Sequence, residues 1–339
     1  MSVSENVMVP SAEVFHEEDV PARLIPNALS NAAATFVDSL KLSSVSEKVR
    51  RGRRVVLKRR NAYSEQLADL ANLYFRMSSI PIRFWSKAED WRRWEAECFQ
   101  MLNGDLFRVL PSRANTVCVD KLPGTSLWEH LNRGTLTRRM LEAAGRELRR
   151  VHQLWSDEFG GGWSHGDATL SNVIYDEETG RARMIDFEIV HDKSLPAKSR
   201  HADDLLVFLL DIVAVAPSRR WLPFALSFLN AYGDPVVIAE LTDHLALPSG
   251  MAWIWWGVRT SFANPGKVKH RLTKLRDVTV HLGYYRAFAA KRVRQRRRPS
   301  TTCQVISAGI PRPISRARPT RESAKAPSPG IPSKLPTKR

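Results

Sequence analysis

The sequence predicts an α+β protein of two lobes, a small sheet-containing lobe followed by a mostly helical one. Three observations lead there. The 339 residues are enough for two lobes around a cleft, and a hydrophobic share of 43% allows a sizeable buried core. Short apolar, β-branched runs fall in the first part of the chain. Beyond Ile189 the spacing of apolar residues is mainly helical.

Residues 1–35 carry Pro10, Pro21 and Pro26 and little periodicity, so they read as a loosely ordered arm. The small lobe is placed at residues 36–120. Within it, Arg53–Lys58 reads as a strand because of the pair Val55-Val56. Residues 62–77 have helical spacing, with Leu67, Leu70, Leu73 and Tyr74 on one side, and Pro81 ends that region. A second helix is expected from Ser86, where Ser86 and Glu89 have capping-box spacing, to Asn103-Gly104. Trp91, Trp94, Cys98 and Met101 would form its buried stripe. Val117–Asp120 reads as another strand, broken by Pro123-Gly124.

The helical lobe, residues 121–290, opens with a helix from Thr137 to Trp155 that buries Met140, Leu141, Ala144, Leu148 and Val151. Further helices are expected over 200–215, 219–232, 234–246, 250–264 and 268–290. The acidic pair Asp203-Asp204 could anchor the loop at 165–172 or contact substrate, though just ahead of Leu205-Leu206-Val207 it has more the character of a helix cap. Trp253, Trp255 and Trp256 read as core packing.

The formal net charge is +17, but residues 290–339 hold 14 of the 52 Lys and Arg and one of the 35 Asp and Glu. The excess therefore belongs to a tail and not to the fold. Rich in Pro, Ser and Arg, the tail at 291–339 buries too little apolar surface to fold and is expected to be disordered. Its run Lys291–Arg298 suits an anionic membrane surface, with a solvated run lacking any partner as the alternative. No aromatic residue interleaves with that run, which disfavours nucleic acid. Cys98, Cys118 and Cys303 match no zinc or redox spacing and point to a reducing compartment. The N-terminus has no basic-then-apolar leader, and the longest apolar run, Leu205–Ala216, is short and interrupted by Asp211. These features predict a cytoplasmic protein whose tail can reach the inner membrane face. His191, His201 and Asp203 match no metal-ligand spacing.

The chemistry concentrates in Ser164-His165-Gly166-Asp167-Ala168-Thr169-Leu170-Ser171-Asn172 and in Ile185-Asp186-Phe187-Glu188. Val173–Tyr175 and Ala182–Ile185 are short apolar strands joined by the turn-forming Asp-Glu-Glu-Thr-Gly. An antiparallel hairpin sets the start of its first strand beside the end of its second. Asn172 and Asp186 occupy those positions, so their side-chain oxygens can meet at one point. A few oxygen ligands, completed by phosphate and water, suit Mg²⁺. Asp167, in the loop leading to the hairpin, would accept a hydrogen bond from an attacking hydroxyl. Phosphoryl transfer needs mainly positioning and charge neutralisation, which these groups supply.

His165-Gly166-Asp167 and Asn172 together resemble the catalytic loop of the protein-kinase-like superfamily, with Gly where protein kinases have Arg. Asp186-Phe187-Glu188 resembles that superfamily's metal-binding Asp-Phe-Gly, with Glu for Gly. Both departures resemble the branch of aminoglycoside phosphotransferases, choline-kinase-like enzymes and lipopolysaccharide core kinases. The resemblance implies ATP and Mg²⁺ as cofactors, a two-lobed kinase-like fold, Asp167 as the catalytic carboxylate and His165 as a brace of its loop. It implies a strand lysine that holds the nucleotide phosphates, paired to a helix glutamate. Lys58 and Glu95 fit those roles, with Lys48 and Lys87 as competing lysines. It also implies that backbone groups from Val119 to Leu122 meet the adenine ring. The corresponding glycine-rich loop is missing, since Ser43–Lys48 contains no glycine.

The branch implies a small-molecule or lipid-linked sugar acceptor, and the basic tail tilts the choice toward a lipopolysaccharide-kinase-like enzyme. A protein Ser/Thr kinase and a non-catalytic pseudokinase scaffold recruited by the tail are the alternatives.

Overall fold

The computed structural model describes residues 42–113, 115–260 and 263–296, the last sixteen of these as backbone alone. The N-terminal arm, most of the basic tail and Cys303 lie outside the described residues. Strands β1 (Ser43–Arg50) and β2 (Arg53–Arg60) form an antiparallel hairpin in which Val45 faces Lys58. Strand β2 pairs with β5 (Thr116–Asp120), which pairs with β4 (Val109–Leu110), so the sheet order is β1-β2-β5-β4. The expected strand Arg53–Lys58 is β2. Ser43–Lys48, where the resemblance puts a phosphate-covering loop, is strand β1 instead. Nearly all its side chains are exposed, so no buried face marks it in the sequence.

Helix α1 (Ser64–Met77) coincides with the expected one but turns its other face inward. Ser64, Ala68 and Phe75 are buried, while Leu70 and Leu73 are 55% and 46% exposed. Small residues let the helix lie close, and Phe75 fills the gap against Ile82, Ile189 and Trp255. Strand β3 (Ile82–Phe84) follows. It pairs antiparallel with β11 (Ile189–His191), which ties helix α1 to the chain beyond the loop at 165–172.

Helix α2 (Ala88–Asn103) buries Trp91, Trp94, Glu95, Cys98, Phe99 and Leu102, with Met101 half-buried at the edge of the stripe. The expected capping box is not formed. Lys87 is the N-cap, and the Ser86 hydroxyl donates to Asp69 at 2.5 Å instead. After β5 the chain crosses through Lys121–Gly124 to β6 (Thr125–Ser126). That strand joins β9 (Val173–Asp176) and β10 (Arg181–Met184) in the order β10-β9-β6. The crossing needs glycine: Gly124 has φ +106°, and a Cβ there would meet the Tyr175 carbonyl at 2.0 Å.

The rest is largely helical: α3 (Leu127–Asn132), α4 (Arg138–His152), α5 (Ala197–Val215), α6 (Trp221–Tyr232), α7 (Pro235–His244), α8 (Ala252–Arg259) and α9 (Pro265–Arg296). Between α4 and the catalytic loop, β7 (Trp155–Ser156) and β8 (Gly161–Gly162) pair as a short hairpin. Thr137 caps α4 by accepting the Met140 N–H, and the expected apolar face of that helix is buried. Phe208 of α5 stacks on Phe228 of α6 at 3.9 Å within the main core. The chain is thus an α+β protein in which antiparallel strands lead and helices follow. The described residues up to Val293 make one compact unit, and Arg294 begins a second. Among the described residues, no helix is long and apolar enough to cross a membrane.

Candidate active site

Lys58 stands at the centre of the site, 7% exposed on β2. Its Nζ lies 3.1 Å from Glu95 Oε1, 2.5 Å from Asp186 Oδ1 and 3.5 Å from Glu188 Oε1. Burial pulls the ammonium down, yet the carboxylates of Asp186, Glu95 and Glu188 outweigh it and hold it above the usual lysine range. The expected pair of Lys58 and Glu95 is therefore formed, and neither competing lysine takes its place. Burial pushes the Glu95 carboxyl up against the pull of Lys58. Desolvation also raises Asp186, but Lys58 more than reverses it, and Asp186 stays below the ordinary carboxylate range.

Glu95 holds more than the lysine. Its Oε2 accepts the Phe187 N–H at 3.1 Å, while the indole N–H of Trp94 donates to the Phe187 carbonyl at 2.9 Å. Helix α2 thereby clamps both main-chain groups of the residue next to Asp186. Asp186 has φ +65°, a left-handed conformation that a short polar side chain tolerates better than most. Glu188, which the sequence marked only as a departure from glycine, also accepts the Ser43 hydroxyl at 2.5 Å and joins β1 to the site.

The expected hairpin of β9 and β10 forms, and its register sets Val173 opposite Met184. The Ile185 N–H donates to the Asn172 carbonyl at 2.9 Å, which puts Asn172 beside the residue before Asp186. The Asn172 Nδ2 donates to the Asp167 carbonyl at 2.8 Å and to Asp167 Oδ2 at 3.1 Å. That bonding turns the amide oxygen away from Asp167. Burial raises the Asp167 carboxyl to about 6, opposed by the Arg259 guanidinium.

His165 is buried with both ring nitrogens engaged. Nε2 donates to the Ile185 carbonyl at 2.9 Å, and Nδ1 accepts the Asp167 N–H at 3.2 Å. Burial keeps its pKa below the usual histidine value, so the ring is neutral and braces the loop. Gly166 has φ +84°, and a Cβ there would lie 2.6 Å from the Ile189 carbonyl. Glycine is required at this step of the His-Gly-Asp sequence by backbone geometry.

Of three supports of the loop, the sequence offered only the acidic pair, as one of its readings. Asp204 is no helix cap: it lies in the second turn of α5 and anchors the loop from below. Its Oδ2 accepts the His165 N–H and its Oδ1 the Gly166 N–H, each at 2.8 Å, and His152 Nε2 lies 3.0 Å from Oδ2. Asp211, one face further along α5, accepts the Leu170 N–H at 2.8 Å. Arg259 of α8 donates to the Gly166 carbonyl at 3.0 Å and pairs with Asp203 at 3.4 Å. The spacing of seven between Asp204 and Asp211 puts both on one face of α5, a signal present in the sequence but without a partner until the loop is folded.

The expected hinge segment is divided between sheet and loop. Val119 lies between Val56 on one side and Val109 on the other, so its main chain belongs to the sheet and is not at an open edge. Leu122 lies past the ladder, and its side chain is buried in the core. His191, with Nε2 3.1 Å from Asp203 and Nδ1 3.0 Å from the Ser164 hydroxyl, joins the loop's support, while His201 meets the Trp163 carbonyl at 3.0 Å. Trp255 packs edge-on against Phe75 at 4.9 Å, the packing role expected for this cluster.

The donor set fits a hard divalent cation. Asp186 and Asn172 offer a carboxylate and an amide oxygen, and the three carboxylates around Lys58 outnumber the two cations that face them, Lys58 and Arg60. Among the described residues no group of three or more His, Cys, Asp and Glu gathers as a self-contained metal site. An ion held partly by phosphate and water needs none.

No family model matches the chain, and no curated protein matches it. Among solved structures it is similar to the Rv3197–erythromycin complex from Mycobacterium tuberculosis, at 17% identity and a TM-score of 0.33 over 54% of this chain and 51% of that one. It is also similar to an ethanolamine kinase of Plasmodium vivax, at 10% identity and a TM-score of 0.36 over 72% of this chain and 84% of that one. The chain thus spans about half the length of the first.

Proposed function

We propose that this chain is a phosphotransferase of the protein-kinase-like superfamily that moves the γ-phosphate of ATP, with Mg²⁺, to a hydroxyl of a small molecule or a lipid-linked sugar. The observation that carries this reading is the convergence on Lys58 of Glu95 from α2 and Asp186 from the end of the β9–β10 hairpin. Asn172 and Asp167 are bonded to each other beside that hairpin. Bound together, the nucleotide and the ion supply the transferable phosphoryl group and neutralise its charge.

The chain's own groups divide the remaining work. Lys58 turns its ammonium to the nucleotide phosphates, steadied by Glu95. Asp186 and Asn172 hold the ion through oxygen. Asp167 accepts the hydrogen bond of the acceptor hydroxyl and takes its proton, and its raised carboxyl is ionised at neutral pH. His165 and Asp204 keep the loop in place from beneath. An acceptor at the inner membrane face accords with the basic tail, which lies outside the described residues.

The test is a screen of sugar, amino-alcohol and lipid-linked hydroxyl acceptors with γ-labelled ATP and Mg²⁺, run with the parent chain and with Asp167→Ala. Label transfer by the parent and its loss in D167A support the reading. Nucleotide binding without transfer to any acceptor, equal in both proteins, leaves the scaffold alternative standing.

A further inference from the structure

Away from the catalytic loop, a cavity of about 450 Å³ opens where the end of α2, one face of α4 and strand β10 meet. Its walls carry Arg146, Arg150, Arg181 and Arg183 against two carboxylates, Asp105 and Glu147. Glu147 is already committed to Arg150, with both of its oxygens at 2.7 Å from that guanidinium. Among the described residues, neither Arg181 nor Arg183 has a carboxylate within ion-pair distance. Burial, and then the neighbouring Arg181 guanidinium, hold Arg183 below the usual arginine range. With Glu147 taken by Arg150 and Arg146 paired to Glu142, Asp105 is, among the described residues, the one remaining carboxylate in the cavity wall beside Arg181 and Arg183.

A second observation points the same way. Asn103 lines the cavity, is 2% exposed, and has no hydrogen-bond partner at either side-chain atom. The Arg183 Nε is likewise buried without a partner, its guanidinium lying over the Phe107 ring at 4.9 Å. A buried carboxamide left unbonded at both ends is costly, and in native proteins such a group normally has an occupant to bond. The cavity's size is that of a small-molecule site.

We propose that this cavity, between α2, α4 and β10, binds a small soluble phosphate monoester, with Arg181 and Arg183 on the phosphate and Asn103 bonding the ligand's polar groups. Planar guanidinium groups suit phosphate oxygens through paired N–H donors. The cavity is mechanically linked to the candidate active site. Asn103 follows Glu95 on the same helix at about 12 Å along its axis, and Arg183 precedes Asp186 by three residues. A ligand bridging the end of α2 to β10 bears on the two carboxylates that hold Lys58.

Inorganic phosphate, titrated calorimetrically into the full chain without nucleotide, tests this. The expected result is saturable binding that weakens roughly tenfold or more in Arg181→Glu and in Asn103→Leu. Binding is expected to persist in Lys58→Met, which removes the ammonium that would hold an anion in the catalytic cleft. Arg181 is exposed, so R181E leaves the fold intact. The proposal is overturned if phosphate does not bind, if R181E binds it as the parent does, or if K58M, folded by circular dichroism, loses binding, which would assign the anion to the catalytic cleft.

Discussion

Glu95 accepts the main-chain N–H of Phe187 at 3.1 Å with one carboxylate oxygen while the other meets the Lys58 ammonium, also at 3.1 Å. One buried side chain therefore sets two things at once, the lysine on the sheet and the turn that carries Asp186. Breaking it is expected to disturb both.

Lys58→Met and Glu95→Gln, singly and together, form a double-mutant cycle. Lys58→Met leaves three carboxylates without their cation and is expected to destabilise the chain by about 3–5 kcal/mol, whereas Glu95→Gln leaves Lys58 with Asp186 and Glu188 and should destabilise it less. The pair should be non-additive by roughly 0.5–3 kcal/mol, measured by urea unfolding. Strict additivity would mean that Asp186 and Glu188, not Glu95, hold the lysine.

Gly166→Ala tests the backbone argument. The left-handed φ and the approach to the Ile189 carbonyl are expected to destabilise the chain by about 1–3 kcal/mol and to lower phosphotransfer, because the strained step adjoins Asp167. A wild-type melting curve for G166A would refute the requirement for glycine.

Asp211 gives a stability that varies with pH. Burial first, and then the nearby Asp167 carboxylate, raise its carboxyl to about 7, against the Leu170 N–H that lowers it. Between about pH 4 and 7 the unfolded chain ionises this group while the folded chain keeps it protonated, so its contribution falls as pH rises through that window and is level above it. Asp211→Asn keeps an acceptor for the Leu170 N–H and removes the titration. Relative to the parent, D211N should gain stability from pH 5 to pH 8 in chemical denaturation. A stability difference between the two proteins that does not change with pH would contradict the raised carboxyl.

The inserted helix and strand should act as a strap between α8 and the segment after the catalytic loop. Phe75 fills the space between Ile82, Ile189 and Trp255, and the Tyr74 hydroxyl donates to the Met251 carbonyl at 2.7 Å. Phe75→Ala is expected to destabilise the chain by about 3–5 kcal/mol. Tyr74→Phe, which keeps the packing, should have an effect of only about 1 kcal/mol. Equal effects in the melting curves would argue against a packed strap.

By itself the sequence determined the helices and the hairpin of β9 and β10, because 3.6-residue and two-residue periodicities and turn chemistry are local. It also set Asn172 beside the residue before Asp186, since an antiparallel hairpin brings its two ends side by side. Only the tertiary structure decided which face of α1 is buried, because Phe75 meets residues from distant parts of the chain, while the leucines on the other face find no cover among the described residues. The roles of Asp204, Asp211, Arg259 and Glu188 were decided there too. Each acts on a main-chain or charged group far along the chain, and a polar side chain's partner is not written in its own neighbourhood.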